Sequence, residues 1–272
     1  MAKKKNKEEM TFWEHLEELR WHILRSVVAI MLFTILAFFG REILFDDILL
    51  GPSTPEFIVN RWLCQLAELI KSPGLCMDQL NIKIINITLS GQFMVHMYMS
   101  LMFGVVMAFP YILWEIWRFV KPALLPVEQA NSRGAVLVAT ILFYVGVLFS
   151  YFLIVPLTIN FLGTYQVSAA VENTIALRSY INTVISLSFA VGIVFELPIV
   201  VFFLTRIGVL SPSIMKKGRR IALVIILGVA ALITPADIFS MIMVAIPLYV
   251  LYELSIGISK RVYRRKQKSL SE

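Results

Sequence analysis

The chain alternates between long apolar runs and short charged connections. Six apolar segments stand out, at about 21–39, 93–114, 135–157, 180–204, 221–233 and 238–251. A helix that crosses a bilayer needs roughly 20 consecutive, mostly apolar residues, and the first four segments meet that length. The last two are short. At about 1.5 Å per residue the fifth reaches roughly 20 Å, against a hydrocarbon core of roughly 30 Å. Two readings fit: a re-entrant hairpin, or two short helices that thin the bilayer. Either returns the chain to the side it came from. The pattern predicts an all-α polytopic membrane protein with six transmembrane helices, the last two short.

Composition agrees. Hydrophobic residues make up 58% of the chain and charged residues 16%, with a mean hydropathy of +0.79. A soluble domain has roughly 45–50% apolar and 25% charged residues. The net charge of +7 raises the question of nucleic acid, but the basic residues sit in short clusters between apolar runs. That is a membrane-topology pattern, and no nucleic-acid partner is expected. Twenty of the 25 basic residues fall in the N-terminal stretch, in the second-to-third and fourth-to-fifth connections, and in the tail. The excess of Lys and Arg predicts that these segments, and so both termini, are cytoplasmic. The polar start, MAKKKNKEEMTFWEHLEELR, shows no cleavage site after the first apolar run, so that run is expected to remain as a true span.

Three regions follow. Residues 1–20 read as a cytoplasmic amphipathic segment, 21–258 as a six-helix membrane domain and 259–272 as a basic cytoplasmic tail. The first extracytoplasmic segment, about 40–92, is long for a connection. It holds Pro52, Pro55, Pro73 and Gly74 and an amphipathic stretch at 57–70, so a small folded cap on the membrane surface is expected. Both cysteines, Cys64 and Cys76, lie in it. In an oxidising compartment they can form a disulfide; two free thiols are the alternative. Their spacing, with no CxxC, argues against a metal site. The second outer segment, about 158–179, reads as a surface loop. No Walker loop, Rossmann glycine pattern, HExxH or Gly-x-Ser-x-Gly occurs, so neither a cofactor nor an enzymatic activity is expected.

The candidate chemistry lies in isolated charges. Glu196 is the only charge between Arg178 and Arg206. A carboxylate near the middle of a span costs about 2.5–3.5 kcal/mol on insertion scales, and such groups face a bundle interior or a wet cavity. Pro198, two residues on, predicts a kink in the same turn. Glu196 reads either as a polar functional site or as a protonated acid that only holds the bundle together. Before the first span, Glu14 and Glu18 share one face of a helix and Leu16 and Leu19 another, as for a helix lying along the interface. Glu128 follows the stiff KPALLP connection. Two carboxylates at one surface attract a basic ligand. Arginine is favoured, because its planar fork pairs bidentately with carboxylate. Thr234-Pro235-Ala236-Asp237 joins the last two segments, and Asp237 is placed to cap the following helix. Glu253 reads as reaching the cytoplasmic interface. From the residues alone, the leading function is a proton-coupled small-solute transporter using Glu196.

Several stretches, in order, carry a resemblance: HLEELR at 15–20, FPYILWEIWRFVKPALLPVEQ at 109–129, FYVGVLFSYFLIVP at 143–156, FELP at 195–198, TPAD at 234–237 and LYE at 251–253. Together they resemble the large polytopic subunit of the twin-arginine protein translocase, the TatC family. The resemblance implies recognition of paired-arginine signal peptides and export of folded proteins driven by the proton-motive force. It implies a bacterial inner-membrane location, a homo-oligomer within a larger complex, and single-span TatA/TatB-type subunits as partners in the membrane lipid. The family's signal-binding carboxylates fall on Glu18 and Glu128, supported by His15, Leu19 and Arg20. Its intramembrane polar site falls on Glu196 and Pro198, and its extracytoplasmic cap or partner contact on Pro235 and Asp237.

Overall fold

The computed structural model describes residues 12–54, 57–70, 83–121, 133–168, 173–234 and 237–271. Among them, five helices are long and apolar enough to cross a membrane: His15–Phe39, Gly91–Val120, Gly134–Thr164, Leu177–Arg206 and Ile238–Arg264. Each contains an apolar stretch of at least 18 residues, and in lipid only a helix satisfies every backbone group within its own segment. The chain divides into two compact units.

The first unit is Met1–Phe39 with Ser100–Thr140. It holds α1 (Phe12–Phe39) and most of α3 (Gly91–Val120). α1 is one unbroken helix of 28 residues. HLEELR therefore forms the early turns of the span helix, not a separate helix along the interface. No glycine or proline interrupts Phe12–Phe39, and nothing else breaks the hydrogen-bond ladder. α1 and α3 approach closely at Gly104, where an added Cβ would stand 2.9 Å from the Thr34 Cα. Small residues permit such approaches between membrane helices.

The second unit is Gly40–Met99 with Ile141–Glu272. α4 (Arg133–Phe149), whose residues up to Thr140 count with the first unit, passes through a π-helical turn, Ser150–Ile154, into α5 (Val155–Thr164). α6 (Leu177–Val194) and α7 (Leu197–Arg206) form one span interrupted at Phe195–Glu196. Pro198 causes the break, since it has no N–H to donate to the carbonyl one turn earlier. A short α8 (Pro212–Lys217), α9 (Arg219–Ile233) and α10 (Ile238–Ser271) complete the chain. α9 has 15 residues, and at about 1.5 Å per residue it reaches only about 22 Å.

Two expectations change here. The sixth segment is not short: α10 has 34 residues. The apolar pattern stops near Leu251, but Lys, Arg and Gln are good helix formers and carry the helix through the basic tail. The segment at 158–179 is not simply a loop either. α5 runs to Thr164, and β2 (Thr174–Ala176) pairs in parallel with β1 (Lys83–Ile85), Ile84 facing Ile175. Three-residue strands are too short for alternation to reveal them.

The first outer segment is structured by α2 (Ile58–Ile70) and by turns at Ile43–Leu49 and Gly51–Ser53. Buried Asn60 donates from Nδ2 to the Pro52 carbonyl at 3.2 Å and the Thr54 carbonyl at 2.7 Å. Two span tyrosines pin the turns: Tyr151 donates to the Ile48 carbonyl at 2.6 Å and Tyr180 to that of Leu49 at 2.8 Å.

α4 and α6 meet at a glycine pair. A Cβ on Gly146 would lie 2.6 Å from the Phe195 ring and 3.0 Å from the Gly192 Cα. Gly146→Val is expected to cost about 1–3 kcal/mol through overpacking and to lower the thermal midpoint of the solubilised protein. Gly257→Val, where a Cβ meets nothing within 4 Å, is expected to leave the midpoint near that of the parent in the same melt.

Candidate functional site

A polar cluster joins α1 and α3. Glu115, on α3, is 1% exposed. Its Oε2 shares a short hydrogen bond with His22 Nδ1 of α1. Arg25 Nη1 lies 4.0 Å from Oε2, and Arg118 Nη1, one turn along α3, lies 3.6 Å from Oε1. Both distances exceed hydrogen-bonding range. The arginines therefore act on Glu115 as nearby charges, while His22 and Tyr111 are its hydrogen-bond partners. Phe119 lies against the same α1 face, its ring stacked on His15 at 4.3 Å and edge-on to His22 at 6.1 Å.

These contacts orient the HLEELR turn. His15, Leu19 and His22 recur at the i, i+4, i+7 spacing of one helical face, and all three are at least half-buried. Glu17, Glu18 and Arg20 are exposed. The structure thus anchors the histidine face of the motif and leaves the Glu18 side chain exposed. Glu128 and Pro235 lie outside the described residues, as does Cys76. Cys64, half-buried on α2, is not a free thiol.

In the second unit, Glu196 precedes α7 at the break between the two half-helices, with Pro198 buried beside it. Its backbone carbonyl accepts from the N–H groups of Ile199 and Val200 at 3.0 and 3.1 Å. Its Oε1 is shielded and accepts no hydrogen bond from the described residues. Asp237 acts as a helix cap: its Oδ1 accepts from the Ser240 N–H at 2.6 Å, the third residue of α10. Glu253 pairs with Arg219 at 2.7 Å, tying α10 to the start of α9.

Sequence reasoning missed Glu115 and His22. The signal was present: Glu115 is the only carboxylate in Gly91–Val120, as Glu196 is in its own run. The apolar segment at 93–114 ends one residue before Glu115, which therefore reads as lying beyond the span. The helix in fact continues to Val120.

The folded chain is a polytopic helical membrane protein whose ionisable groups are clustered between helices or presented beside them. The family profile described as "Sec-independent protein translocase protein (TatC)" matches residues 14–247. A TatC from Blattabacterium sp. subsp. Periplaneta americana is 40% identical over 265 residues, covering 97% of this chain and all of the relative. TatCy of Bacillus subtilis is 31% identical, covering 96% and 93% of the two chains. A crystal structure of the twin-arginine translocase receptor TatC superposes with a TM-score of 0.73 at 30% identity, covering 90% of this chain and 99% of the other. The chain belongs to the TatC family of protein translocase components.

The His22–Glu115 pairing can be measured. His22→Ala is expected to destabilise the solubilised protein by about 1–3 kcal/mol, because Glu115 stays buried without its bond across to α1. The His22→Leu/Glu115→Leu double variant is expected to recover most of that loss, since an apolar pair often replaces a buried polar pair at little cost. Thermal unfolding of His22→Leu, Glu115→Leu and the double variant, beside the parent, closes the cycle.

Proposed function

We propose that this chain is the receptor subunit of a twin-arginine translocase. Its cytoplasmic carboxylates bind the paired arginines of a signal peptide, one guanidinium on Glu18 and the other on Glu128. The observation that carries this reading is the exposed Glu18, set on an α1 face whose neighbours His15 and Leu19 are packed away. Such charge-assisted bonds contribute about 1.5–3 kcal/mol each. The chain acts as a non-enzymatic transport component that supports export of folded proteins on the proton-motive force.

The setting follows from the same reading. The chain sits in the bacterial inner membrane with both termini in the cytoplasm, and α9, the fifth of six spans in chain order, is the short one. It works as a homo-oligomer with single-span TatA/TatB-type subunits. Glu196 and Pro198 provide an intramembrane polar site for a partner span. The outer face offers Pro235 and Asp237, and Asp237 Oδ2 is buried with no hydrogen-bond partner among the described residues.

The test is crosslinking of the solubilised protein to a signal peptide carrying Arg-Arg or Lys-Lys, with Glu18→Gln and Glu128→Gln in parallel. Labelling by Arg-Arg is expected to exceed that by Lys-Lys, because lysine keeps the charge but loses the forked geometry. Labelling is expected to fall about tenfold or more in each variant. Equal labelling by both peptides, unchanged by either variant, overturns the assignment and favours proton-coupled transport at Glu196.

The same reading places Cys64 and Cys76 on the oxidising side, joined to each other. Maleimide is expected to label neither cysteine in the unreduced, denatured protein and both after reduction. Labelling of two thiols without reductant rules the bond out.

A further inference from the structure

Beside the Glu115 cluster, α1 carries a groove that the receptor reading does not use. It is shallow and open along one side, with a volume of about 350 Å³. Trp21, Arg25, Val28 and Leu32 follow one face of α1 at the i, i+4, i+7, i+11 spacing. Half-buried Ala29 leaves a notch among them, and Tyr111 of α3 forms part of the other wall. The groove is apolar along Val28 and Leu32 and cationic at Arg25.

Three observations define the occupant. The first is charge. Arg25 and Arg118 converge on one carboxylate that His22 already hydrogen-bonds. Two guanidiniums over a single anion leave an excess positive charge. Both are about half exposed, at 47% and 51%, and neither donates a hydrogen bond to Glu115. The second is depth. Arg25 is the last charge before the uncharged run 26–39 of α1, and Glu115 and Arg118 are the only charges of α3. The arginines thus mark the edge of the apolar belt, where Trp and Tyr side chains such as Trp21 and Tyr111 favour the headgroup layer. The third is the apolar continuation: the groove runs from this edge down α1. A membrane-spanning helix laid here would bury Arg25 with only a share of the Glu115 carboxylate to balance it, which is costly in hydrocarbon. An anionic lipid supplies that counter-ion and an acyl chain together.

We infer that the α1 groove binds one anionic phospholipid, its phosphate on Arg25 and Arg118 and its acyl chain along Ala29, Val28 and Leu32. Basic pockets between transmembrane helices take lipid headgroups in this manner.

The experiment uses the full chain in detergent, titrated with dioleoylphosphatidylglycerol or dioleoylphosphatidylcholine and read by native mass spectrometry. Phosphatidylglycerol is expected to bind about tenfold more tightly than phosphatidylcholine. Arg25→Gln/Arg118→Gln is expected to erase that preference, while Lys260→Gln/Arg261→Gln retains it. Ala29→Leu, which fills the notch with every charge intact, is expected to weaken phosphatidylglycerol binding severalfold, with gel filtration and thermal melting confirming the fold of each variant. Binding that ignores both the arginine and the Ala29 variants overturns the site. Loss of phosphatidylglycerol to millimolar inorganic phosphate, with no effect of Ala29→Leu, reduces it to an anion site and overturns the lipid assignment. Loss of co-purifying single-span subunits in Ala29→Leu, with lipid binding unchanged, overturns it in favour of a docked helix.

Discussion

A polar group carried into hydrocarbon must find its partner within the protein, because lipid offers neither donor nor acceptor. That constraint makes the spans helical, and its effects reach the side chains. Ser26 donates to the His22 carbonyl and Ser255 to that of Leu251, each bonding within its own helix. Thr205 and Ser259 bond across α7 and α10 at 2.9 Å, both fully buried. Apolar side chains face no such demand. Val28, Leu32 and Leu36 lie more than half exposed on α1, which costs little where the solvent is acyl chain. In water the same face would drive association. In lipid the polar pairings, together with close contacts at small residues, hold the helices together.

The two isolated span carboxylates answer this constraint in different ways. Glu115 is surrounded: one oxygen shares a hydrogen bond with His22, and two guanidiniums stand within 4.0 Å. It works as a structural clasp between α1 and α3. Glu196 sits where a helix breaks, its carbonyl serving two N–H groups while Oε1 stays shielded and unbonded. A group left in that state is expensive to keep; Glu115 Oε1 is likewise buried without a hydrogen bond, but the flanking guanidiniums balance its charge. Asp237 lies between these cases, with one oxygen capping α10 and the other buried without a bond.

Much of this was legible in the sequence. The long apolar runs gave the spans, and the lone charges and prolines gave Glu196, its helix break and the Asp237 cap. What stayed hidden has physical reasons. Hydropathy marks where lipid ends, while helix propensity marks where the helix ends. The two differ by six residues at Val120, past Trp114, and by twenty at Ser271, past Leu251. Glu115 fell in the first of those gaps, one residue past the apolar run, and so escaped notice. The β1–β2 pairing joins three-residue strands some ninety positions apart, and no local pattern reports such a contact. The α1–α3 clasp has the same character. His22 and Glu115 each look ordinary alone, and only their meeting across 93 positions gives them meaning.

That clasp also bears on how a cation is received at this end of α1. Glu18 lies one turn before His22 on a helix with no break, about 6 Å along its axis at 1.5 Å per residue. A guanidinium arriving there meets two carboxylates of very different availability. Glu115 is buried, hydrogen-bonded and already flanked by Arg25 and Arg118, so a further cation gains little and is repelled by the arginines. Glu18 is exposed, and its helix is held by the His15–Phe119 stack and the His22–Glu115 bond. Saturating the inner carboxylate therefore does two things at once. It fixes the helix that carries the outer one, and it removes a competing anion from beside it. Under the receptor function proposed above, this arrangement directs a basic ligand to the surface position, because the buried carboxylate is already flanked by cations.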